Sequence, residues 1–319
     1  YTQLATVERG EGFERLIYDV RTPRGMGFAG TALVARITLT LVDGLDRLDI
    51  HVDAQWDAFN HRVRLAMPVP FGSRHIYEIP YGMLARKPYT PTYDWAGANG
   101  DWPAINWAGV EGANASVAVL NRGLPSYCIK PDVVDTARPS PPRTPEAPTA
   151  TPFAQPSGAT LFVSLLRSPT IPTYLHEPQF YTMTAWDGMR DAGEHSFDLA
   201  LTAYPTPFGA SSVVTDGEAF NAEMLAVAGR IELPELPQVT STVARVSAVK
   251  WAEQGDALIL RLHEFRGEGG EAVVTLPFPI TAAARVNLLE RRAETLSIED
   301  DAVRLKLRPW EIATLRLDM

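Results

Sequence analysis

The sequence predicts an all-β protein, with a large antiparallel β-sandwich followed by a smaller one, and three observations support this. Apolar and polar residues alternate with period two over several segments, for example residues 47–53, which is the pattern of a half-buried strand. Turn signals such as Asp43-Gly44 separate these segments. Helical periodicity is almost absent, so strands are expected to account for nearly all regular structure.

The predicted strands of the large sandwich follow one another closely at first. Residues 2–79 are interpreted as an antiparallel meander, with strands at 13–20, 31–41, 47–53 and 62–68. Strands at 117–120 and 126–130 follow, joined by a tight turn at 121–125. Residues 161–204 organise the rest of the domain, because they contain an apolar strand ending at Arg167 and an alternating strand starting near Asp191. These two are predicted to be its central strands.

Proline and glycine indicate where the regular structure is interrupted. Eight of the 26 residues from Pro131 to Pro156 are proline, so residues 131–158 are interpreted as an insertion at the sheet rim. One modest helix is predicted at 216–225, with Asp216 as its N-cap. The domains are therefore expected at 1–230 and 240–319, joined by a linker at 231–239. The smaller domain has predicted strands at 243–249, 257–265, 272–276, 284–289, 303–307 and 312–317.

Composition excludes several classes of partner. The chain has 319 residues and a formal net charge of -9, without a Lys/Arg-rich run, so nucleic acid and anionic membranes are not expected partners. No stretch approaches the roughly 18 apolar residues of a membrane span. The single Cys128 excludes an internal disulfide, and together with the lack of a secretory signal it favours a cytoplasmic protein. The start at Tyr1 indicates a piece of a longer protein, and a homo-oligomer is left open.

The sequence contains candidates for a binding site but no complete catalytic or metal site. The six histidines have no zinc-like spacing, so no catalytic residue and no metal ligand is predicted in this chain. His195, with Asp191 nearby, is either a sugar ligand or acid/base, or a structural histidine that ties a loop to a strand end. Arg167 either pairs with a carboxylate or faces a substrate cleft. Trp107 belongs to an aromatic segment that either covers a sheet or stacks on a sugar.

Several short motifs then resemble the C-terminal half of glycoside hydrolase family 38, the α-mannosidases. The clearest are Ser164-Leu-Leu-Arg-Ser-Pro169 and Asp191-Ala-Gly-Glu-His-Ser-Phe-Asp198. Others lie in the family's order along nearly the whole chain, with the Pro-rich insertion and residues 170–188 as departures. They include Ile79-Pro-Tyr-Gly82, Asn121-Arg-Gly123, residues 249–264, Asn287-Leu-Leu-Glu290 and Pro309-Trp-Glu-Ile312.

The resemblance implies a fold and a function for this chain. It implies a supersandwich similar to that of galactose mutarotases, which packs against an N-terminal catalytic domain that this sequence does not include. Zinc and the nucleophile of a retaining α-mannosidase would belong to that domain, and α-mannosides would be the substrates. Arg167, Asp191, His195 and Trp107 are expected to line the rim of the sugar site. The alternatives are a stand-alone carbohydrate-binding module and a mutarotase-like enzyme that uses His195.

Overall fold

Strands dominate the chain, as the alternating sequence pattern predicts. The structure, a computed structural model, describes residues 1–23, 31–58, 61–72, 74–87, 101–131, 158–168, 191–224, 226–230, 235–291 and 294–319. Contacts divide these residues into two compact units. The first unit comprises Tyr1–Tyr77, Arg86–Phe208 and Ser212–Asn221, and the second comprises Glu78–Ala85, Gly209–Ser211 and Ala222–Met319. The interior of the predicted insertion, residues 132–157, lies outside the described residues.

The first thirteen strands extend most of the strands that the sequence predicts and add several short ones. They are β1 (Thr2–Gly10), β2 (Phe13–Pro23), β3 (Thr31–Val42), β4 (Arg47–Trp56), β5 (His61–Val69), β6 (Arg74–Ile79), β7 (Gly82–Arg86), β8 (Trp102–Pro103), β9 (Trp107–Glu111), β10 (Ser116–Asn121), β11 (Ser126–Pro131), β12 (Ala159–Ser168) and β13 (Gly193–Tyr204).

The first unit is built from a large and a small antiparallel sheet. The large sheet contains neighbouring strands in the order β1-β2-β3-β4-β13-β10-β9-β6. The small sheet has the order β5-β12-β11-β8. The meander therefore runs only from β1 to β4, and β5 moves to the other sheet. The two central strands also separate, because β12 pairs with β5 and β11, whereas β13 pairs with β4 and β10. Sequence order alone could not assign them to different sheets.

One apolar core joins the two sheets of the first unit. Alternate residues of β4 and β13 contribute Ile50, Val52 and Leu199, and the small sheet contributes Leu161 and Val163. All five are buried, and each such side chain stabilises the fold by about 1.5–3 kcal/mol through loss of water contact. The period-two pattern of the sequence therefore identified the buried face of β4 and β13.

The second unit is a smaller sandwich with its own core. Its strands are β14 (Gln238–Thr240), β15 (Ala244–Trp251), β16 (Ala257–Glu264), β17 (Gly270–Thr275), β18 (Ala282–Val286), β19 (Glu294–Leu296), β20 (Ile298–Glu299), β21 (Ala302–Leu307) and β22 (Ile312–Asp318). They form one sheet in the order β14-β17-β21-β20 and another in the order β15-β16-β22-β18-β19. Leu260, Leu262, Val274, Val303 and Leu315 fill the space between them. The predicted all-β fold, with a large and a smaller sandwich, is confirmed.

The helix α1 (Val213–Asn221) begins three residues earlier than the sequence predicts. Its first turn is closed by the carbonyl of Ser212, which accepts the N–H of Asp216, and the Ser212 hydroxyl donates to the Asp216 carboxylate. Ser212 therefore caps the helix, and the prediction of Asp216 as N-cap is wrong. The predicted domain boundary at 231–239 stays a prediction, since residues 231–234 lie outside the described part.

Candidate functional site

The outer face of the small sheet carries a half-buried polar cluster centred on Asp101. One carboxylate oxygen, Oδ2, accepts from Arg62 Nη1 at 2.6 Å, Ser126 Oγ at 2.7 Å and Ser164 Oγ at 3.1 Å. The other, Oδ1, accepts from Arg64 Nη2 at 2.6 Å. Asp101, Arg62, Arg64, Ser126 and Ser164 are called the Asp101 cluster below. Its carboxylate is 14% exposed, so these charge-assisted hydrogen bonds form largely away from water.

A β-bulge brings Arg167 to the same face as the Asp101 cluster. The β5–β12 register pairs Ser164 with Arg64, and then resumes at Leu166 with Val63, leaving Leu165 as the extra residue. Without that residue the period of two would turn Arg167 towards the core. With it, Leu166 is buried and Arg167 lies directly opposite Arg62 with an exposed side chain. The bulge therefore sets the direction of this predicted site residue.

The Arg62 guanidinium shows the electrostatic cost of this arrangement. Burial lowers its pKa most strongly, the Asp101 carboxylate opposes that effect, and the charges of Arg64 and Arg167 lower the pKa further. Two guanidinium groups therefore pair with the Asp101 carboxylate, and the charge of a third, Arg167, acts on Arg62. An anion is the chemical species that this face can accommodate most readily.

Asp191 lies just before β13 and His195 near its start, and a hydrogen bond joins the two residues. The His195 ring nitrogen Nε2 is 2.7 Å from the Asp191 backbone oxygen, and the ring stacks on Phe197 at 5.9 Å between centroids. Asp191 adopts a left-handed backbone, with φ of 52°. This geometry is that of a histidine that ties a loop to a strand end.

The Arg167 and His195 segments lie at one end of the first unit. Trp56, at the end of β4, pairs with Gly193 in the large sheet, and its indole N–H donates to Ser168 Oγ in the small sheet at 2.6 Å. The structure therefore brings the ends of β12 and β13 together, as expected for residues of one rim. The two candidate side chains belong to different sheets.

Trp107 does not lie at this rim. It is 0% exposed and packs against Phe208, with ring centroids 5.0 Å apart. Helix α1 covers it through Gly217, where an added Cβ would lie 3.0 Å from the indole Cδ1. An indole buried between sheet and helix has no open face for a sugar ring. Its assignment to the rim is therefore corrected to a core position.

A histidine network on the outer face of the large sheet was missed by the sequence analysis. His51 Nδ1 lies 2.7 Å from Asp198 Oδ1, and His51 Nε2 lies 3.2 Å from Asp53 Oδ1. Arg122 Nη1 donates to the other oxygen of Asp198 at 3.1 Å. The hydrogen bond to Asp198 raises the pKa of His51, against the opposing effect of burial. Alternation places His51 and Asp53 on one face, but the partner Asp198 is distant in sequence.

The same face contains an open cleft of about 600 Å³. Its polar lining includes Asp19, Arg36, Asp53 and Glu194, and Arg36 Nε donates to Asp19 Oδ1 at 3.0 Å. Carboxylates outnumber guanidinium groups in this lining, so the cleft differs in charge from the Asp101 cluster. The carboxylates and guanidinium group of this lining can form hydrogen bonds with sugar hydroxyls.

Among the described residues, no three His, Cys, Asp or Glu side chains lie close enough to hold a metal ion. In that same part of the chain, no helix has the length and apolar composition needed to cross a membrane.

Comparison with known proteins identifies the C-terminal part of the chain. Residues 244–315 match the family described as "Glycosyl hydrolases family 38 C-terminal beta sandwich domain". The second unit contains a family 38 C-terminal β-sandwich domain. The resemblance that the sequence motifs indicate is therefore confirmed.

Similarity to known proteins also extends beyond residues 244–315. A Halalkalibacterium halodurans protein named "Putative mannosylglycerate hydrolase" is 22% identical over 312 residues, which is 96% of this chain and 31% of that protein. An Enterococcus faecalis α-mannosidase structure superposes with a TM-score of 0.69 at 16% identity over 99% of this chain and 35% of that one.

A second E. faecalis structure, of a family 38 protein, has a TM-score of 0.68, also at 16% identity, and covers 99% of this chain and 36% of its own. At this identity the structural likenesses establish the fold alone. The chain spans about a third of the length of each relative.

Proposed function

We propose that this chain is the C-terminal β region of a glycoside hydrolase that releases mannose from α-mannosides. The match of residues 244–315 to the family 38 C-terminal domain carries this proposal. The structural likeness to an α-mannosidase over 99% of the chain supports it. The name of the bacterial relative adds mannosylglycerate, a mannoside that bears a carboxylate, as a candidate substrate.

In this proposal the chain supports catalysis without performing it. Zinc, the nucleophile and the retaining chemistry would belong to a separate catalytic domain, against which the β region packs. Arg167 and the segment from Asp191 to His195 would then approach the substrate from the rim of the first unit. Their common position at one end of the sandwich supports this, through the Trp56–Ser168 hydrogen bond.

The alternatives from the sequence receive less support. A stand-alone carbohydrate-binding module would need an exposed aromatic platform. Trp107 is buried, and residues 88–100, the earlier part of that aromatic segment, lie outside the described residues. A mutarotase-like enzyme would need His195 free for proton transfer, whereas its Nε2 lies 2.7 Å from the Asp191 carbonyl oxygen.

The proposal is tested by comparing this chain with the polypeptide encoded by its complete open reading frame. With an aryl α-mannoside and zinc, we expect no turnover by the chain alone, and hydrolysis by the complete polypeptide that a chelator abolishes. NMR of the first product should show the α anomer, as retention requires. Hydrolysis by the chain alone, or a complete polypeptide inactive on every α-mannoside tested, would contradict the proposal.

The rim positions are tested separately in the complete polypeptide. Replacing Arg167 or His195 by Ala is expected to raise KM more than it lowers kcat, since neither residue would touch the reacting bond. Arg304→Ala is the matched control, because Arg304 is an exposed arginine of the second unit. Unchanged KM in both rim variants would remove these residues from the site.

A further inference from the structure

We propose that Arg167, with Arg62 opposite it, forms a binding site for the carboxylate group of a small ligand. The proposal deepens the proposed function, on which it rests only for the identity of the rest of the ligand, a mannoside with an acidic group. The site itself follows from the local geometry and charge of the small sheet.

Like charges face each other at this position. Arg167 and Arg62 are direct partners in the antiparallel β5–β12 ladder, where like-charged neighbours destabilise a sheet. The bulge at Leu165 produces this pairing, because it rotates Arg167 from the core side to the outer face. Bulges that redirect a single side chain are common next to binding and active sites.

The Asp101 carboxylate is already engaged by other donors. It accepts four hydrogen bonds, from Arg62, Arg64, Ser126 and Ser164. Within the part of the chain that the structure describes, Arg167 forms no ion pair with a carboxylate, and the buried Nε of Arg64 has no hydrogen-bond partner. Among the described residues, the Arg167 charge therefore faces Arg62 without a carboxylate of its own, on a chain whose net charge is -9.

The chemistry of the ligand follows from the shape of the guanidinium group. Its N–H donors lie in one plane and match the two oxygens of a carboxylate, giving two parallel hydrogen bonds. The Arg64 guanidinium lies over the ring of Phe162, 5.8 Å from the ring centroid, which helps to hold it on this outer face. A small acid such as glycerate, alone or joined to a sugar, fits this combination of charge and partial burial.

The test measures binding of glycerate to this chain by titration calorimetry at low salt, with the arginine side-chain N–H signals followed by NMR. We expect saturable binding that shifts the signal of Arg167. Arg167→Gln should weaken it by about ten-fold or more, the loss expected for a charge-assisted hydrogen bond, and Arg167→Lys should restore it only in part. The control Arg304→Gln should bind as the native chain does.

A second readout separates binding from a structural role. Without ligand, Arg167→Gln should be at least as stable as the native chain, because it removes a like-charge neighbour. The proposal is overturned if the native chain does not bind glycerate, if Arg167→Gln binds it equally well, or if inorganic phosphate binds more tightly. None of these results bears on whether the complete polypeptide hydrolyses α-mannosides, so the two proposals fail independently.

Discussion

The Oε2 atom of Glu264 accepts a hydrogen bond of 2.7 Å from the backbone N–H of Trp310. The same buried carboxylate accepts from Gly267 N at 2.8 Å and Arg266 N at 2.9 Å. Two motifs that resemble family 38, one ending at Glu264 and one containing Trp310, are thereby joined within the second unit. Trp310 has a left-handed backbone, with φ of 53°, so this carboxylate holds a strained turn in place.

Removing that carboxylate is expected to destabilise the second unit strongly. Glu264 is 0% exposed, and its carboxylate accepts from four backbone N–H groups, those of Arg266, Gly267, Glu268 and Trp310. Glu264→Ala leaves these groups without their acceptor, at a cost of about 3 kcal/mol in the free energy of unfolding. Urea denaturation followed by tryptophan fluorescence measures the change. The control Glu299→Ala removes an exposed carboxylate and should cost less than about 0.5 kcal/mol. Equal effects of the two variants would contradict this role for Glu264.

Asp101 is expected to be essential to the small sheet. Asp101→Asn keeps the size of the side chain but removes the charge that pairs with Arg62 and Arg64, leaving two half-buried guanidinium groups uncompensated. We expect a loss of about 3 kcal/mol in the free energy of unfolding. The exposed Asp43→Asn provides the control. Because the loss arises from uncompensated charge, adding Arg64→Met to Asp101→Asn should restore part of the stability. A double variant no more stable than Asp101→Asn would argue against that cause.

Trp107 and Trp251 form a matched pair for testing burial. Trp107 is 0% exposed under helix α1, and Trp251 is 64% exposed. Trp107→Ala is expected to cost about 4 kcal/mol through the cavity that it leaves, whereas Trp251→Ala should cost less than about 0.5 kcal/mol. Thermal unfolding monitored by circular dichroism distinguishes them. Removal of Trp107 should also eliminate a blue-shifted component of the tryptophan fluorescence. A Trp107→Ala variant as stable as the native chain would contradict the role of Trp107 as a core residue.

His51 should make stability depend on pH. Its folded-state pKa is raised, first by the hydrogen bond to Asp198, so folding favours the protonated form. The contribution is complete below the unfolded pKa of about 6.5 and is lost as pH rises through the folded value. Because the ring is partly exposed, we expect less than about 1 kcal/mol.

The measurement is the difference in unfolding free energy between the native chain and His51→Gln, at pH 5.5 and at pH 8. The native advantage should be larger at pH 5.5. His75 and His263 have pKa values lowered by burial and act in the opposite direction, but they cancel in the difference. An advantage that is the same at both pH values would show that His51 does not titrate between them.

Part of the candidate site could be predicted from sequence. The apolar run that ends at Arg167 and the alternating strand that follows Asp191 correctly indicated a strand end and a strand start, while their place at the rim of a sugar site stays a prediction. The Asp101 cluster and the His51–Asp198 pair could not be found in this way. The bonded partners are separated by 25 to 147 positions, and which distant strands pair depends on packing of the whole core.

The sequence by itself determined the fold class, most of the strands and the buried face of alternating strands such as β4, because period-two alternation and turn residues act locally. The tertiary structure decided the rest. It assigned β12 and β13 to different sheets, buried Trp107 beneath a helix, and placed the bulge at Leu165. One extra residue in a ladder exchanges the two faces beyond it, so the direction of Arg167 depends on its pairing with β5. That pairing sets Arg167 opposite Arg62, where we propose a carboxylate binds.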